Sequence, residues 1–251
     1  MQFGISTDKG IKRSINQDYY GVIEGDKNIP YAFIIADGMG GHKAGEVASK
    51  LSVELSMSYI KTNINNKLTK EKMLEKLKDM AQFVNEEVYK ESNENKENYG
   101  MGTTLTIAIV TKEYVIISHI GDSRVYLLRD NELKKITVDH SYVEELVRNG
   151  TITEKEAKKH PRRNVLTRAV GYFKNVEADL YIQDKKDGDV FLMCTDGLTN
   201  MVDESLIKDT ILGKDKLQDI ADSLIEKTNA NGGKDNTTII VFKDGVKINE
   251  R

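Results

Sequence analysis

Two stretches of this chain run from an unbroken apolar segment directly into Asp-Gly. They are Tyr31-Ala32-Phe33-Ile34-Ile35-Ala36-Asp37-Gly38 and Val190-Phe191-Leu192-Met193-Cys194-Thr195-Asp196-Gly197. Each apolar run has the length of a strand and stops at a turn-forming pair, so each reads as a buried strand followed by a turn. Such a strand holds its last side chain rigidly at the edge of the core. Asp is short, so little reach or entropy separates backbone from carboxylate. Asp37 and Asp196 are placed this way, Asp18 stands just before a strand over 19–24, and Asp235 stands just before the closing strand over 237–242.

Between these points the periodicity changes. Val47, Leu51, Leu55 and Tyr59 recur every four residues and mark an amphipathic helix, and a second runs over about 69–91 with Met73, Leu77, Met80, Val84 and Val88 on one face. Residues 2–6 read as a short strand. Strands over 104–110, 114–120 and 124–129, joined by short turns, read as an antiparallel meander. Residues 139–175 differ: short polar helices over 141–148 and 153–159 precede a basic loop, His160-Pro161-Arg162-Arg163-Asn164. Segments this polar pack weakly, so the region reads as a flap. Helices over 203–212 and 217–228 precede the last strand.

The 251 residues suffice for one large domain, and two small ones would also fit. With 2 Pro and no Pro/Gly/Ser-rich linker, one domain over 1–251 is expected. A net charge of −3 gives no excess of cations to draw nucleic acid or an anionic membrane. The single cysteine, Cys194, sits in an apolar run and reads as a buried small hydrophobe. No segment has the roughly 20 apolar residues of a membrane span, and the first residues lack a signal-peptide core. A cytoplasmic, reducing setting is expected.

If the four aspartates converge, they crowd one partly dry site, and like charges that close need compensation. Divalent cations supply it, and all-oxygen donors select Mg²⁺ or Mn²⁺ over zinc. Taken singly, however, each Asp-Gly is more often a turn than a ligand, and the same holds for Asp122 in Gly121-Asp122-Ser123-Arg124.

The motifs taken in order go further. Arg13-Ser14-Ile15-Asn16-Gln17-Asp18, Ala36-Asp37-Gly38-Met39-Gly40-Gly41-His42, Gly100-Met101-Gly102-Thr103-Thr104 and Gly121-Asp122-Ser123-Arg124 resemble successive signatures of the PPM family (protein phosphatase 2C) in its bacterial form. Asp139-His140-Ser141 and Leu166-Thr167-Arg168-Ala169-Val170-Gly171 resemble its entry to and exit from the flap. Cys194-Thr195-Asp196-Gly197-Leu198 and Gly233-Lys234-Asp235-Asn236-Thr237-Thr238 complete the set, which spans nearly the whole chain.

The resemblance implies an α+β fold: a central β-sandwich of two antiparallel sheets with helices on both outer faces. It implies two Mn²⁺ or Mg²⁺ ions, with Asp37 bridging them, Asp196 and Asp235 on one, and Asp18 with the Gly38 carbonyl on the other. A third, weaker ion falls to Asp122 with Asp196. Arg13 is expected to grip the substrate phosphate, with guanidinium geometry suited to a bidentate contact. The implied chemistry is hydrolysis of phosphoserine or phosphothreonine by a metal-activated water. The implied partners are phosphoprotein substrates and an opposing Ser/Thr kinase, with the chain acting as a monomer.

Two positions depart from the animal members: Met39 stands where they carry a His that could serve as general acid, and Gln17 stands where they carry an acid. His42 reads as a loop or capping residue, His119 as a satisfied sheet residue, and His140 and His160 as fixing the ends of the flap. Two other readings are a phosphatase specialised for a stress or sporulation regulator and a pseudo-phosphatase that only binds phosphoprotein. The second predicts a missing metal aspartate, and all five positions are Asp.

Overall fold

The computed structural model describes residues 1–40 and 44–244. Strands β1 (Gln2–Asp8), β2 (Asp18–Ile23) and β3 (Tyr31–Met39) come first, followed by helices α1 (Ala44–Asn63) and α2 (Lys70–Glu94). Next are β4 (Gly102–Thr103), β5 (Leu105–Val110), β6 (Tyr114–Ile120), β7 (Arg124–Arg129) and β8 (Glu132–Lys135). Helices α3 (Tyr142–Arg148) and α4 (Glu154–Ala157) precede β9 (Asp179–Asp184) and β10 (Val190–Cys194). Helices α5 (Asp196–Thr199), α6 (Glu204–Leu212) and α7 (Leu217–Ala230) lead into β11 (Thr237–Lys243).

The strands form two antiparallel sheets, ordered β1-β11-β10-β7-β8 and β2-β3-β5-β6-β9, with β4 added to β3. The sheets face each other across a core of Phe33, Ile35, Ile117, Val125, Phe191, Met193, Ile240 and Phe242. Phe33 and Phe242 stack there with ring centroids 4.4 Å apart. The opposite face of β3, with Ala32, Ile34 and Ala36, packs under α1 and α2. Leu192 and Cys194 of β10 pack under α6 and α7. Both strands are therefore covered on both faces, which is why their sequences are unbroken apolar runs rather than alternating ones. The expected sandwich with helices on both outer sides is the observed fold.

Four local expectations need correction. First, β5, β6 and β7 do not form a three-stranded meander. β5 pairs with β6, but β7 pairs with β10 and β8 in the other sheet. Gly121-Asp122-Ser123 is thus a crossing between sheets; a Cβ on Gly121, whose φ is 108°, would stand 2.4 Å from Thr104 Cγ2. Second, β3 continues through Asp37-Gly38 to Met39 because β4 prolongs its ladder, pairing Gly38 with Thr103 and Met39 with Gly102. Third, the buried face of α1 is Ala48, Ser49, Ser52, Val53, Ser56 and Ile60; Val47, Leu51, Leu55 and Tyr59 are only partly buried beside it. Small residues let the helix lie close to the sheet, and Ser49 and Ser56 satisfy their hydroxyls on the Gln17 and Ser52 carbonyls. Fourth, β8 and β9 were missed. Both are edge strands with half-exposed residues; β8 is mostly charged, and in β9 only the three residues Leu180-Tyr181-Ile182 are apolar, too short a run to mark a strand.

Candidate metal and phosphate site

The polar ends of these strands meet at one rim of the sandwich. Asp18 opens β2 and lies directly opposite Asp37 in the ladder with β3. Asp196 is the first residue of α5, two residues after the end of β10, rather than the end of a strand. Asp235 lies in the loop before β11, and Asp122 lies on the crossing between sheets. Arg13, Asp37, Gly38, Asp122, Asp196 and Asp235 line one cleft of about 210 Å³. Asp18 sits buried behind it.

The electrostatics show how close these groups are. Burial, with repulsion from Asp196 and Asp235, pushes the Asp18 carboxyl up to about 7 even though Thr195 donates to it. Asp196 is pushed up to about 6, again by burial and then by Asp235. Asp37 and Asp122 are raised well above the carboxylate range, by burial first, then by Asp18 and Asp196 on Asp37, and by Asp196 and Asp139 on Asp122. Carboxylates thus crowd a space that suits cations.

The donors fit hard divalent ions. One oxygen of Asp18 accepts from Thr195 Oγ1 at 2.9 Å, while the other, Oδ1, is buried with no partner. A buried carboxylate oxygen without a donor is costly unless a cation meets it. No histidine lines the cleft among the described residues, which removes the usual zinc ligand. No three Asp, Glu, His or Cys side chains among the described residues form a ready metal cage. Mg²⁺-like ions do not need one, since they take one or two carboxylates and keep several waters.

The loops that carry these groups are pinned by side chains to which sequence reading assigns no role. Asn236 donates to the Lys9 and Ile15 carbonyls and accepts from Gln17 N, fixing the loop that carries Arg13. Arg13 donates to Asp235 Oδ2 at 2.8 Å. Thr104 Oγ1 accepts from Asp37 N and meets Ser123 Oγ at 2.8 Å, tying β3 to the crossing that holds Asp122. Thr195 donates to Asp18 and accepts from Thr238 N, and Asn200 donates to Asp196 Oδ2. For all but Asn200, the only signal is their place inside the quoted motifs.

Gly38 is required here by close approach. A Cβ at that position would stand 2.0 Å from the Gly45 carbonyl oxygen and 2.7 Å from that of Gln17, both backbone. Gly38→Ala is therefore expected to destabilise the protein by about 3 kcal/mol, read as a shifted urea midpoint.

A second support is the pair Arg124–Asp139. The carboxylate accepts from Arg124 Nε and Nη2, the latter at 2.6 Å, and Lys135 approaches it at 3.4 Å. Burial works to raise Asp139, but Arg124 and Lys135 outweigh it and hold the carboxyl below its usual range. Asp139→Ala strands a largely buried guanidinium and should cost about 3 kcal/mol, measured by chemical denaturation in chelator.

The histidines play the structural parts expected of them. His119 is fully buried between Thr106 Oγ1 and the Val138 carbonyl, and burial followed by repulsion from His140 depresses it to about 3. His140 joins Asp179 Oδ2 at 3.1 Å and accepts from Gly121 N, so it anchors the start of the flap to the sheet crossing. His160 Nδ1 accepts from Arg162 N. His42 lies outside the described residues. Cys194 is buried, which pushes its thiol up to about 12. Neither α3 nor α4 has a buried residue, yet the segment around them brings Asn164 and Leu166 to the cleft.

Residues 9–235 match the family described as Protein phosphatase 2C. The chain belongs to that family. As a PPM phosphatase it is an enzyme of the protein-serine/threonine phosphatase class, and the family is metal-dependent. The chain is 43% identical over 237 residues to the serine/threonine phosphatase stp of Listeria welshimeri, covering 94% of this chain and 93% of that one. It superposes on the crystal structure of serine/threonine phosphatase Stp1 from Staphylococcus aureus with a TM-score of 0.90 at 36% identity, covering 97% and 95%. The catalytic domain of the phosphatase PstP, solved in complex with 2 manganese ions, matches with a TM-score of 0.82 at 34% identity, covering 96% of each chain.

Proposed function

We propose that this PPM phosphatase is one catalytic domain over 1–251, with a flap over 139–175, and that it hydrolyses phosphoserine and phosphothreonine in cytoplasmic proteins, opposing a Ser/Thr kinase. The observation that carries this reading is the convergence of five aspartates from five chain segments, one of them with an orphaned buried oxygen. In this reading Asp37 serves two Mn²⁺ or Mg²⁺ ions, Asp196 and Asp235 serve one, and Asp18 with the Gly38 carbonyl serves the other. Asp122 with Asp196 holds a third, weaker ion. When bound, the cation pair supplies Lewis acidity and an acidified water for attack on phosphorus.

The remaining work falls to the chain itself. Arg13, exposed at the mouth of the cleft, orients the phosphate and offsets its charge. Its guanidinium then exchanges the Asp235 carboxylate for phosphoryl oxygens. No protein nucleophile is required; Cys194 is buried away from the cleft, and its raised pKa keeps it a thiol. Met39 lines the cleft at the position of the animal histidine, and a thioether has no proton to give, so water or another group protonates the leaving oxygen. The enzyme acts as a monomer and binds neither nucleic acid nor membrane. No helix among the described residues is long and apolar enough to cross a membrane.

The test is hydrolysis of phosphothreonine and phosphotyrosine peptides with Mn²⁺, with and without chelator. The reading expects phosphothreonine turnover that chelator abolishes. Turnover that survives chelation, or a preference for phosphotyrosine, would sink it.

A further inference from the structure

Beside the candidate site lies a second, larger groove of about 540 Å³, lined by Arg13, Lys158, Arg163, Lys234, Asp203 and Asp235 among others. Arg13, Asp235 and Asn164 border both cavities, so the two are continuous. Four cations and two carboxylates face this groove in a chain whose net charge is −3. Lys158 pairs with Asp203 at 3.2 Å, and Arg13 pairs with Asp235. Arg163 and Lys234 are exposed and have no carboxylate partner among the described residues. The basic loop 160–164 is visible in the sequence, but Lys234 and the groove between them are not. The fold makes one by setting the flap segment after α4 opposite the loop before β11.

Both free cations are held in place by their backbones. Arg163 lies on a turn in which its N–H meets the His160 carbonyl and Val165 N meets the Arg162 carbonyl. The neighbouring Arg162 stacks over the Tyr142 ring at 5.5 Å, which braces that turn on α3. Lys234 follows two positive-φ glycines, Gly232 and Gly233, and Gly233 accepts from Ile11 and Lys12 in the loop that carries Arg13. An extended peptide whose phosphate sits beside Arg13 would run its neighbouring residues along this groove, advancing about 3.3 Å per residue.

We propose that Arg163 and Lys234 select substrates carrying Asp or Glu within about three residues of the phosphorylated residue, at the roughly 3.3 Å per residue of an extended chain. This rests on the phosphatase reading and names the substrate class for that same site. Exposed cations of this kind act chiefly on encounter and affinity rather than on chemistry. Their contribution is that of surface ion pairs and is screened by salt.

The experiment uses phosphothreonine peptides that differ only in flanking residues: acidic, neutral, or basic, on either side. Wild-type enzyme with Mn²⁺ at low salt is expected to show kcat/KM roughly fivefold higher for an acidic flank than for a neutral one. The difference should lie in KM and shrink toward unity in high salt. The double variant Arg163→Glu/Lys234→Glu is expected to invert the acidic-to-basic ratio; because the readout is a ratio within one protein, partial loss of active enzyme does not disturb it. Equal rates on all flanks in wild type, or an acidic preference that survives in the variant, would overturn the assignment. Wild-type turnover of p-nitrophenyl phosphate, which has no flanks, separates the two readings: no turnover refutes the phosphatase reading, and turnover with indifference to flanks refutes only the groove.

Discussion

Replacing Asp37 by Asn should lower Mn²⁺-dependent turnover of a phosphothreonine peptide by about a thousandfold or more, while making the chelated protein more stable. The two effects have one cause. Asp37 faces Asp18, Asp196, Asp122 and Asp235, and burial together with their repulsion raises its carboxyl well above the usual range. The neutral amide removes that repulsion from the metal-free protein. It also removes the charge that a bridging ligand needs. The expected gain without metal is about 1–2 kcal/mol, or a rise of some 2–8 °C in melting temperature for a chain of this size. A merely structural Asp37 would behave in the opposite way, with both stability and activity falling.

The second large effect is on pH. Asp18 and Asp196 have folded-state values of about 7 and about 6 against an ordinary 3.8. A carboxyl whose pKa is raised by folding contributes stability below its unfolded value and loses that contribution as pH rises through the folded one. The chelated protein should therefore lose stability between about pH 4 and pH 7, by a few kcal/mol in total. Excess Mn²⁺ should restore it at pH 8, since a ligand bound only by the folded state adds RT ln(1 + [L]/Kd). Differential scanning calorimetry across this range checks the sign, and Asp18→Asn should remove much of the slope. A chelated protein that gains stability from pH 5 to pH 8 would contradict the charge crowding.

How much of this was legible beforehand depends on where each residue's role is encoded. The runs 31–36 and 190–194 announce themselves because both faces of those strands are covered, so no polar residue interrupts them. The aspartates were visible as the residues at which those runs stop. Whether they converge was not visible from periodicity, because Asp18, Asp37, Asp122, Asp196 and Asp235 lie up to 217 positions apart in the chain; only the order of the motifs brought them together. From sequence the crossing at Gly121-Asp122-Ser123 reads as a hairpin turn because a short Gly-Asp-Ser link serves either purpose. What tells them apart is the partner of β7, and that partner is β10, more than 60 residues later. Asn236, Thr104 and Thr195 escaped notice for a related reason: each stabilises a loop distant in sequence, and nothing local marks an Asn or Thr that does so. Arg163 is legible as part of a basic loop, but its meeting with Lys234 across one groove is a product of folding alone.

The central claim is that these aspartates form one cation site, and metal stoichiometry tests it most directly. Isothermal titration calorimetry with Mn²⁺ on the wild-type chain, Asp37→Asn and Asp122→Asn reads binding without reference to activity. Two strong sites and a weaker third are expected in wild type. Asp37→Asn should weaken both strong sites, and Asp122→Asn should remove only the weak one. Fewer than two strong sites in wild type, or a titration that Asp37→Asn leaves unchanged, would contradict the account.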